Sequence, residues 1–93
     1  MVGRTALHWS CFNQHMAVAR VLLEHSAAVD ALDVHGKTAL HLSASKNHFA
    51  LCELLLEFGA GCDLEAPKLG TAAQIAELHG HAGLMTMLLK RHR

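Results

Sequence analysis

The sequence is short of the features that would place it in several large classes of protein. It contains no Tyr, one Pro and 4% aromatic residues, and its eight Lys and Arg are balanced by eight Asp and Glu. This balance leaves no whole-chain basic excess that would favour nucleic acid or a membrane surface. The longest stretch without Asp, Glu, Lys or Arg, residues 5–19, is too short to span a bilayer. With 52% hydrophobic residues, however, the chain has a core to bury, which argues against disorder.

Targeting and disulfide signals are also lacking. No apolar segment follows the charge at Arg4, and Gly does not directly follow Met1, so neither secretion nor myristoylation is indicated. Cys11, Cys52 and Cys62 are an odd number of cysteines without a Cys-x-x-Cys pair, which suits reduced thiols better than a disulfide framework. We therefore expect a cytoplasmic or nuclear protein without a membrane segment.

The main positive feature is an internal repeat with a period of 33 residues. Identical residues recur at this spacing in several columns when the chain is aligned with itself. The columns are Thr5, Thr38 and Thr71; Ala6, Ala39 and Ala72; Leu7 and Leu40; His8 and His41; His15, His48 and His81; Leu22, Leu55 and Leu88; and Leu23, Leu56 and Leu89. The chain is therefore predicted to hold about three units, approximately residues 1–32, 33–65 and 66–93, which is about the minimum for a stable stack.

Each unit is predicted to form two short helices and an exposed turn before the next unit. The first helices follow a Thr, whose hydroxyl can cap the free amides at a helix N-terminus. The second helices carry apolar residues at helical spacing, which are expected to face the stack. The predicted first helices are residues 6–12, 39–45 and 72–78, and the predicted second helices are residues 16–25, 49–58 and 82–91.

The ends of these helices are marked unevenly. Gly80 and, less easily, Asn47 accept the left-handed backbone conformation that often ends a helix. Gln14 occupies the same column in the first unit and is predicted to be a poor stop signal. Ser26, in the column of Gly59, should likewise end its helix less favourably.

The middle unit carries the residues of a known family. Gly36-Lys37-Thr38-Ala39-Leu40-His41-Leu42 is followed by Asn47-His48, Leu54-Leu55-Leu56, Gly59-Ala60 and Asp63. With this joint spacing the unit resembles one full ankyrin repeat, and the resemblance covers essentially all 93 residues. It implies an all-α fold, a single ankyrin-repeat solenoid of helix-turn-helix units joined by β-hairpin-like turns.

The resemblance also implies a structural role for the repeated Thr and His. In ankyrin repeats the His of this box hydrogen-bonds to the turn of a neighbouring unit. The box residues are Thr5, His8, Thr38, His41 and Thr71. The third unit has Gln74 in place of the His and ends in the basic segment 90–93, so we expect it to be a carboxy-terminal cap.

The first unit has no matching cap. Met1 falls inside the turn that should precede it, so the first repeat is expected to be incomplete. This would leave Leu7, Val18 and Leu22 without a preceding unit to cover them. A fragment, a shortened product and a missing partner are the open explanations, and homo-oligomerisation through this uncapped face is a further alternative.

Nine His residues raise the possibility of a metal or catalytic site. His8, Cys11 and His15 have a spacing that can converge on one helix face. The predicted helix ends near residue 14, however, and both histidines recur one repeat later, which favours a structural role. Because histidines held in one tautomer resist protonation, we expect lower stability at about pH 5 than at about pH 7.

Signatures of catalysis are lacking. The sequence has no Gly-x-Ser-x-Gly elbow and no phosphate-binding Gly-rich loop, so we predict no enzymatic activity, no cofactor and no metal. Cys11, Cys52 and Cys62 align with small or apolar residues of other units. All three thiols are therefore expected to be buried and unreactive.

The resemblance places the partner on the concave side, which is formed by the turns and by the exposed ends of the first helices. The corresponding residues are Arg4, Phe12, Asn13, Val34, His35, Lys37, Ser45, Lys46, Lys68, Gly70, Leu78 and His79. This set contains four cations and no anion, together with apolar residues that could act as anchors. It predicts a groove for an acidic, partly apolar peptide or protein surface, against the alternative that the cations are ordinary solvated residues.

Two classes of function follow. The first is a protein-interaction module or scaffold that binds another protein through its concave face. The second is a nucleic-acid- or chromatin-associated regulator that uses the basic groove and the basic tail. Zero net charge, the lack of Tyr and the few aromatic residues disfavour the second.

Overall fold

A computed structural model describes residues 5–91, which form six helices in three successive pairs. Unit 1 contains α1 (Ala6–Phe12) and α2 (Met16–Glu24), unit 2 contains α3 (Ala39–Ser45) and α4 (Phe49–Glu57), and unit 3 contains α5 (Ala72–Leu78) and α6 (Ala82–Arg91). The all-α prediction is confirmed. Helices α2 and α4 end one residue before the predicted His25 and Phe58, because these two residues are C-caps without helical dihedrals.

Each first helix begins with a capping box. In α3 the Thr38 hydroxyl accepts the amide of His41 at 3.3 Å, and His41 Nδ1 accepts the amide of Thr38 at 2.9 Å. The same pair of bonds occurs at α1 and at α5, where Gln74 replaces the His. The predicted Thr caps are therefore present, and the side chain at the third helical position completes each of them.

Left-handed residues follow all three first helices. After the first helices, φ is 58° at Gln14, 59° at Asn47 and 77° at Gly80. After α2 and α4, φ is 68° at Ser26 and 90° at Gly59. Gln14 and Ser26 thus adopt the backbone of the glycines in their columns despite their Cβ atoms, which strains both positions. Gln14 and Ser26 therefore end their helices with the same backbone geometry as the other units. The predicted difference between the units is one of conformational energy.

The units stack through their first helices, with α1 against α3 and α3 against α5, while each second helix packs against its own unit. Leu residues from every unit fill the core between the helix layers; the most deeply buried are Leu40, Leu51, Leu54, Leu55, Leu84 and Leu88. Leu7 is buried as well, so the expectation that it would be uncovered is wrong. Its side chain belongs to the core cluster that also contains residues of units 2 and 3. Val18 is exposed, as expected, whereas Leu22 is half-buried and packs against the core.

A hairpin-like turn precedes units 2 and 3. In the first of these turns the Asp33 amide donates to the Lys37 carbonyl at 2.9 Å, and the Asp33 carboxylate accepts the amides of His35 and Lys37, each at 2.9 Å. In the second turn Ala66 and Gly70 form an antiparallel β-bridge. The two turns lead directly into α3 and α5.

Two columns of histidines tie the units together in opposite directions. His8 Nε2 donates to the Lys37 carbonyl at 2.8 Å, and His41 Nε2 donates to the Leu64 carbonyl at 2.9 Å. These bonds run forward to the next turn, as the box was expected to do. His48 and His81 bond backward, because their rings donate to the carbonyls of Cys11 and Ser45 at 3.0 and 3.3 Å.

Candidate partner-binding groove

A groove of about 320 Å³ opens on the concave side between units 2 and 3. Its lining comes from the turn before α3, from α3 itself, and from the turn and helix of unit 3. The lining residues are Lys37, His41, Leu42, Ser45, Lys46, Leu69, Ile75 and His79. Four of the predicted partner-binding residues, Lys37, Ser45, Lys46 and His79, therefore lie together around one cavity.

The floor of the groove is apolar, and its residues are not among those that the sequence predicts for partner binding. Leu42 and Ile75 are only 3% and 2% exposed, and Leu69 is half-exposed at the rim. A signal for the floor was present, because Leu42 and Ile75 occupy one repeat column together with Trp9. The groove thus combines apolar lining residues with polar and cationic ones, which is a common composition of specific binding sites.

Lys46 connects this groove with unit 1. Its Nζ lies 4.3 Å from the centroid of the Phe12 ring, within the range of a cation–π interaction. The Phe12 ring in turn meets Trp9 edge to face, with the ring centroids 6.3 Å apart. Phe12 therefore positions the Lys46 ammonium on the concave side.

The remaining predicted residues within residues 5–91 are not part of the groove lining. Val34 and His35 are exposed at the tip of the first turn, and Asn13 is the exposed C-cap of α1. Lys68 is exposed in the second turn, and Leu78 is exposed at the end of α5. The half-buried Gly70 pairs with Ala66 at the base of the second turn, and Arg4 lies outside the described residues.

The charge of the groove is positive. Lys37 and Lys46 are cationic, His79 is exposed, and none of the eight residues in the lining set is acidic. The Asp33 carboxylate near Lys37 is buried and accepts two backbone amides. Burial lowers the pKa of His41 below its ordinary value, so this ring contributes a neutral imidazole.

The possible metal triplet does not converge. Both ring nitrogens of His8 are engaged, with the Thr5 amide at 3.2 Å and with the Lys37 carbonyl at 2.8 Å. Cys11 is fully buried, whereas His15 is exposed. No group of three or more His, Cys, Asp or Glu able to hold a metal occurs within residues 5–91.

The cysteines differ in their surroundings. Cys11 and Cys52 are buried, and burial raises the pKa of the Cys52 thiol to about 12. Burial also raises the pKa of Cys11. Cys62 is half-exposed, so the expectation that all three thiols are buried is wrong for this residue, which lies in the turn region at the rim of unit 2.

Comparison with known families agrees with this architecture. The family model for ankyrin repeats, which describes three copies, matches residues 2–68, more than half of the chain. The protein therefore belongs to the ankyrin repeat family. Ankyrin repeats are generally protein–protein interaction modules. Within the part of the chain that the structure describes, no helix is long and apolar enough to cross a membrane.

Proposed function

We propose that this protein is a non-enzymatic interaction module that binds an acidic, partly apolar segment of another protein in the groove between units 2 and 3. The observation that carries the proposal is the convergence of Lys37, Lys46 and His79 above the apolar floor of Leu42 and Ile75. Residues from two turns and two helices supply this arrangement, and the inter-unit histidine bonds keep them in register.

The charges define one half of the recognition. Lys37 is half-buried and Lys46 is exposed, so a partner carboxylate can approach both without entering the core. Such pairs lie in a partly solvated environment, where they assist encounter and orientation more than final affinity. The absence of a carboxylate from the groove lining means that no residue of the lining competes for these cations.

The apolar floor defines the other half. Leu69, with the small exposed edges of Leu42 and Ile75, can contact an aliphatic or aromatic side chain of the partner inside a cavity of about 320 Å³. Burying such a side chain contributes about 1.5–3 kcal/mol. The expected ligand therefore has an apolar anchor flanked by Asp or Glu.

Affinity capture from cell lysate tests this function. The wild-type chain is compared with a groove variant, Lys37→Glu with Lys46→Glu, and with a control variant, Arg20→Glu with Lys90→Glu. The control makes the same change in net charge at two exposed positions outside the groove. All three proteins are first matched for melting temperature.

We expect a small set of proteins rich in acidic segments to be retained by the wild type and the control and lost from the groove variant. Addition of about 0.5 M salt should weaken capture, because exposed charge pairs are screened at this ionic strength. Equal capture by all three proteins would show that the groove is not the binding site. Loss from both variants would show that only net charge matters.

A further inference from the structure

Histidines lie at and beside the groove between units 2 and 3. His41 and His79 belong to its lining, and His81 is stacked against His79. The rings of His79 and His81 are nearly parallel, with their centroids 6.0 Å apart and their planes inclined by 18°. Histidine is the side chain that ordinarily changes its charge between about pH 5 and 8. The charge of this groove can therefore change with pH while its lysines stay cationic.

These histidines differ in what their rings contact. His41 is buried and bonded to the Leu64 carbonyl, and burial lowers its pKa, so its ring is neutral. His81 Nε2 donates to the Ser45 carbonyl at 3.3 Å, a bond that the neutral tautomer and the cation can both make. His79 is exposed and belongs to the groove lining, whereas His81 does not. His79 is thus the histidine at which a proton taken from solvent would face a ligand in the groove.

The charged residues that line the groove with His79 are cations. Lys37 comes from the turn before α3, and Lys46 comes from the end of α3. The turn before α5 contributes the uncharged Leu69. None of the residues in this lining set is acidic. A carboxylate supplied by a ligand would therefore be the negative charge that these cations and His79 meet in the groove.

The carboxylates of the neighbouring elements are directed elsewhere. Glu77 of α5 lines a different cavity, on the side of Cys62. The buried Asp33 carboxylate accepts two amides of its own turn. The cations of α6, Lys90 and Arg91, lie in its last turn, whereas the groove is near its start. Neither Glu77 nor Asp33 thus takes the place of a ligand carboxylate beside His79.

We propose that His79 couples ligand binding to proton uptake. When a carboxylate of the partner occupies the groove, the His79 imidazole takes up a proton from solvent, and the affinity rises as the pH falls from about 8 to about 6. An opposite charge close to an imidazole favours its protonated form, and linkage requires the proton to favour the anion equally. The proposal rests on the proposed function, because it specifies how the same groove recognises an acidic segment.

The exposure of His79 sets the size of the effect. Two opposite unit charges about 4 Å apart in water change a dissociation constant by about fivefold. We therefore expect binding to be about three- to fivefold tighter at about pH 6 than at about pH 8. The stacked His81 ring limits the uptake to one proton, because a second positive charge 6.0 Å away is opposed by the first.

The test uses a rhodamine-labelled peptide with an apolar residue between Asp or Glu residues, selected from a displayed library on the wild-type chain at about pH 7. Fluorescence anisotropy gives its dissociation constant at about pH 6, 7 and 8 at constant ionic strength. Aspartate and glutamate side chains titrate near pH 4, so the charge of the peptide stays constant over this range. Melting temperatures at each pH show that the protein is folded throughout.

Two variants of the same residue separate charge from titration. His79→Gln should bind at every pH with the affinity of the wild type at about pH 8. His79→Lys keeps a cation at every pH and should bind throughout about as tightly as the wild type at about pH 6. Both should fold, because His79 is the exposed C-cap of α5. The control His35→Gln removes an exposed histidine outside the groove lining and should leave the pH dependence unchanged.

Calorimetry supplies a second readout. Titrations at about pH 7 in two buffers with different heats of ionisation count the protons that accompany binding. We expect an uptake of about 0.4 proton per complex for the wild type and for His35→Gln. The uptake should be close to zero for both variants of His79.

Equal affinity of the wild type at about pH 6 and 8 would overturn the coupling and leave the groove as the binding site. A pH dependence that His79→Gln retains would also overturn it, because another group would then take up the proton. Equal binding of the peptide to the wild type and to Lys37→Glu with Lys46→Glu at about pH 8 would overturn the proposed function, and the coupling with it. Loss of the pH dependence in both His79 variants, with His79→Lys the tighter binder, supports the proposal.

Discussion

Replacing His41 should separate the local and the inter-unit roles of the box histidine. The ring is buried and makes bonds to the Thr38 amide, to the Thr38 hydroxyl and to the Leu64 carbonyl, each at 2.9 Å. Gln74 shows what a glutamine does in the same column, because its Oε1 accepts the Thr71 amide at 2.9 Å. His41→Gln should therefore keep the cap and lose the bond to Leu64.

The expected costs follow from these bonds. Loss of one inter-unit hydrogen bond costs about 1 kcal/mol, so His41→Gln should lower the melting temperature by about 4–8 °C. His41→Leu also leaves the buried Thr38 amide without a partner, which adds about 1–3 kcal/mol. A domain of this size has a free energy of unfolding of about 5–15 kcal/mol, so the second loss is severe.

Urea and thermal unfolding followed by circular dichroism measure both variants. Gln74→Leu is the matched control, because it removes the corresponding cap at an exposed site and should cost less than about 1 kcal/mol. If His41→Gln destabilises the protein as much as His41→Leu, the glutamine does not preserve the cap. If neither variant is destabilised, the box histidine does not hold units 2 and 3 together.

The pKa of His41, the left-handed residues and the cysteines can each be tested separately. Burial lowers the pKa of His41 in the folded protein, so on acidification the unfolded chain binds a proton first. The free energy of unfolding should therefore fall as the pH drops below about 6.5. In melting curves, His41→Gln should reduce this dependence on pH. Ser26→Gly should raise the free energy of unfolding by about 0.5–1 kcal/mol in urea titrations, and Gly59→Ala should lower it by at least as much, since both positions have a positive φ. Iodoacetamide followed by mass spectrometry should modify the half-exposed Cys62 before Cys52, and equal rates would contradict the burial difference.

The helical framework could be predicted because each signal recurs three times. Thr before each first helix and the left-handed column after it bound α1, α3 and α5 at the predicted residues. The ends of α2 and α4 were placed one residue too late, since the change to a C-cap depends on dihedral angles that composition does not specify.

Directions of contact were harder to predict. The 33-residue repeat indicates that His48 and His81 have a structural role. It does not indicate that their rings hydrogen-bond to carbonyls of the preceding unit, as the structure shows. The sequence predicts Leu7 on the uncovered side of unit 1. Its position on α1 instead places its side chain in the core cluster. Cys62 shares a column with Val29, whose apolar character suggested burial, although this column lies at the half-exposed edge of the stack.

The groove could be predicted in part. The resemblance to ankyrin repeats placed Lys37, Ser45, Lys46 and His79 on one side, and the structure arranges them around one cavity. Its floor was missed because buried aliphatic residues such as Leu42 have the same pattern whether they fill a core or line a cavity.

A displayed peptide library selected on the wild-type chain identifies the peptides that bind the groove between units 2 and 3. The selected peptides are then titrated against the groove variant, Lys37→Glu with Lys46→Glu, and against the control, Arg20→Glu with Lys90→Glu. We expect peptides with an apolar anchor beside Asp or Glu, whose affinity falls about tenfold or more for the groove variant and little for the control. Peptides without acidic residues, or equal affinity for the wild type and the groove variant, would contradict it.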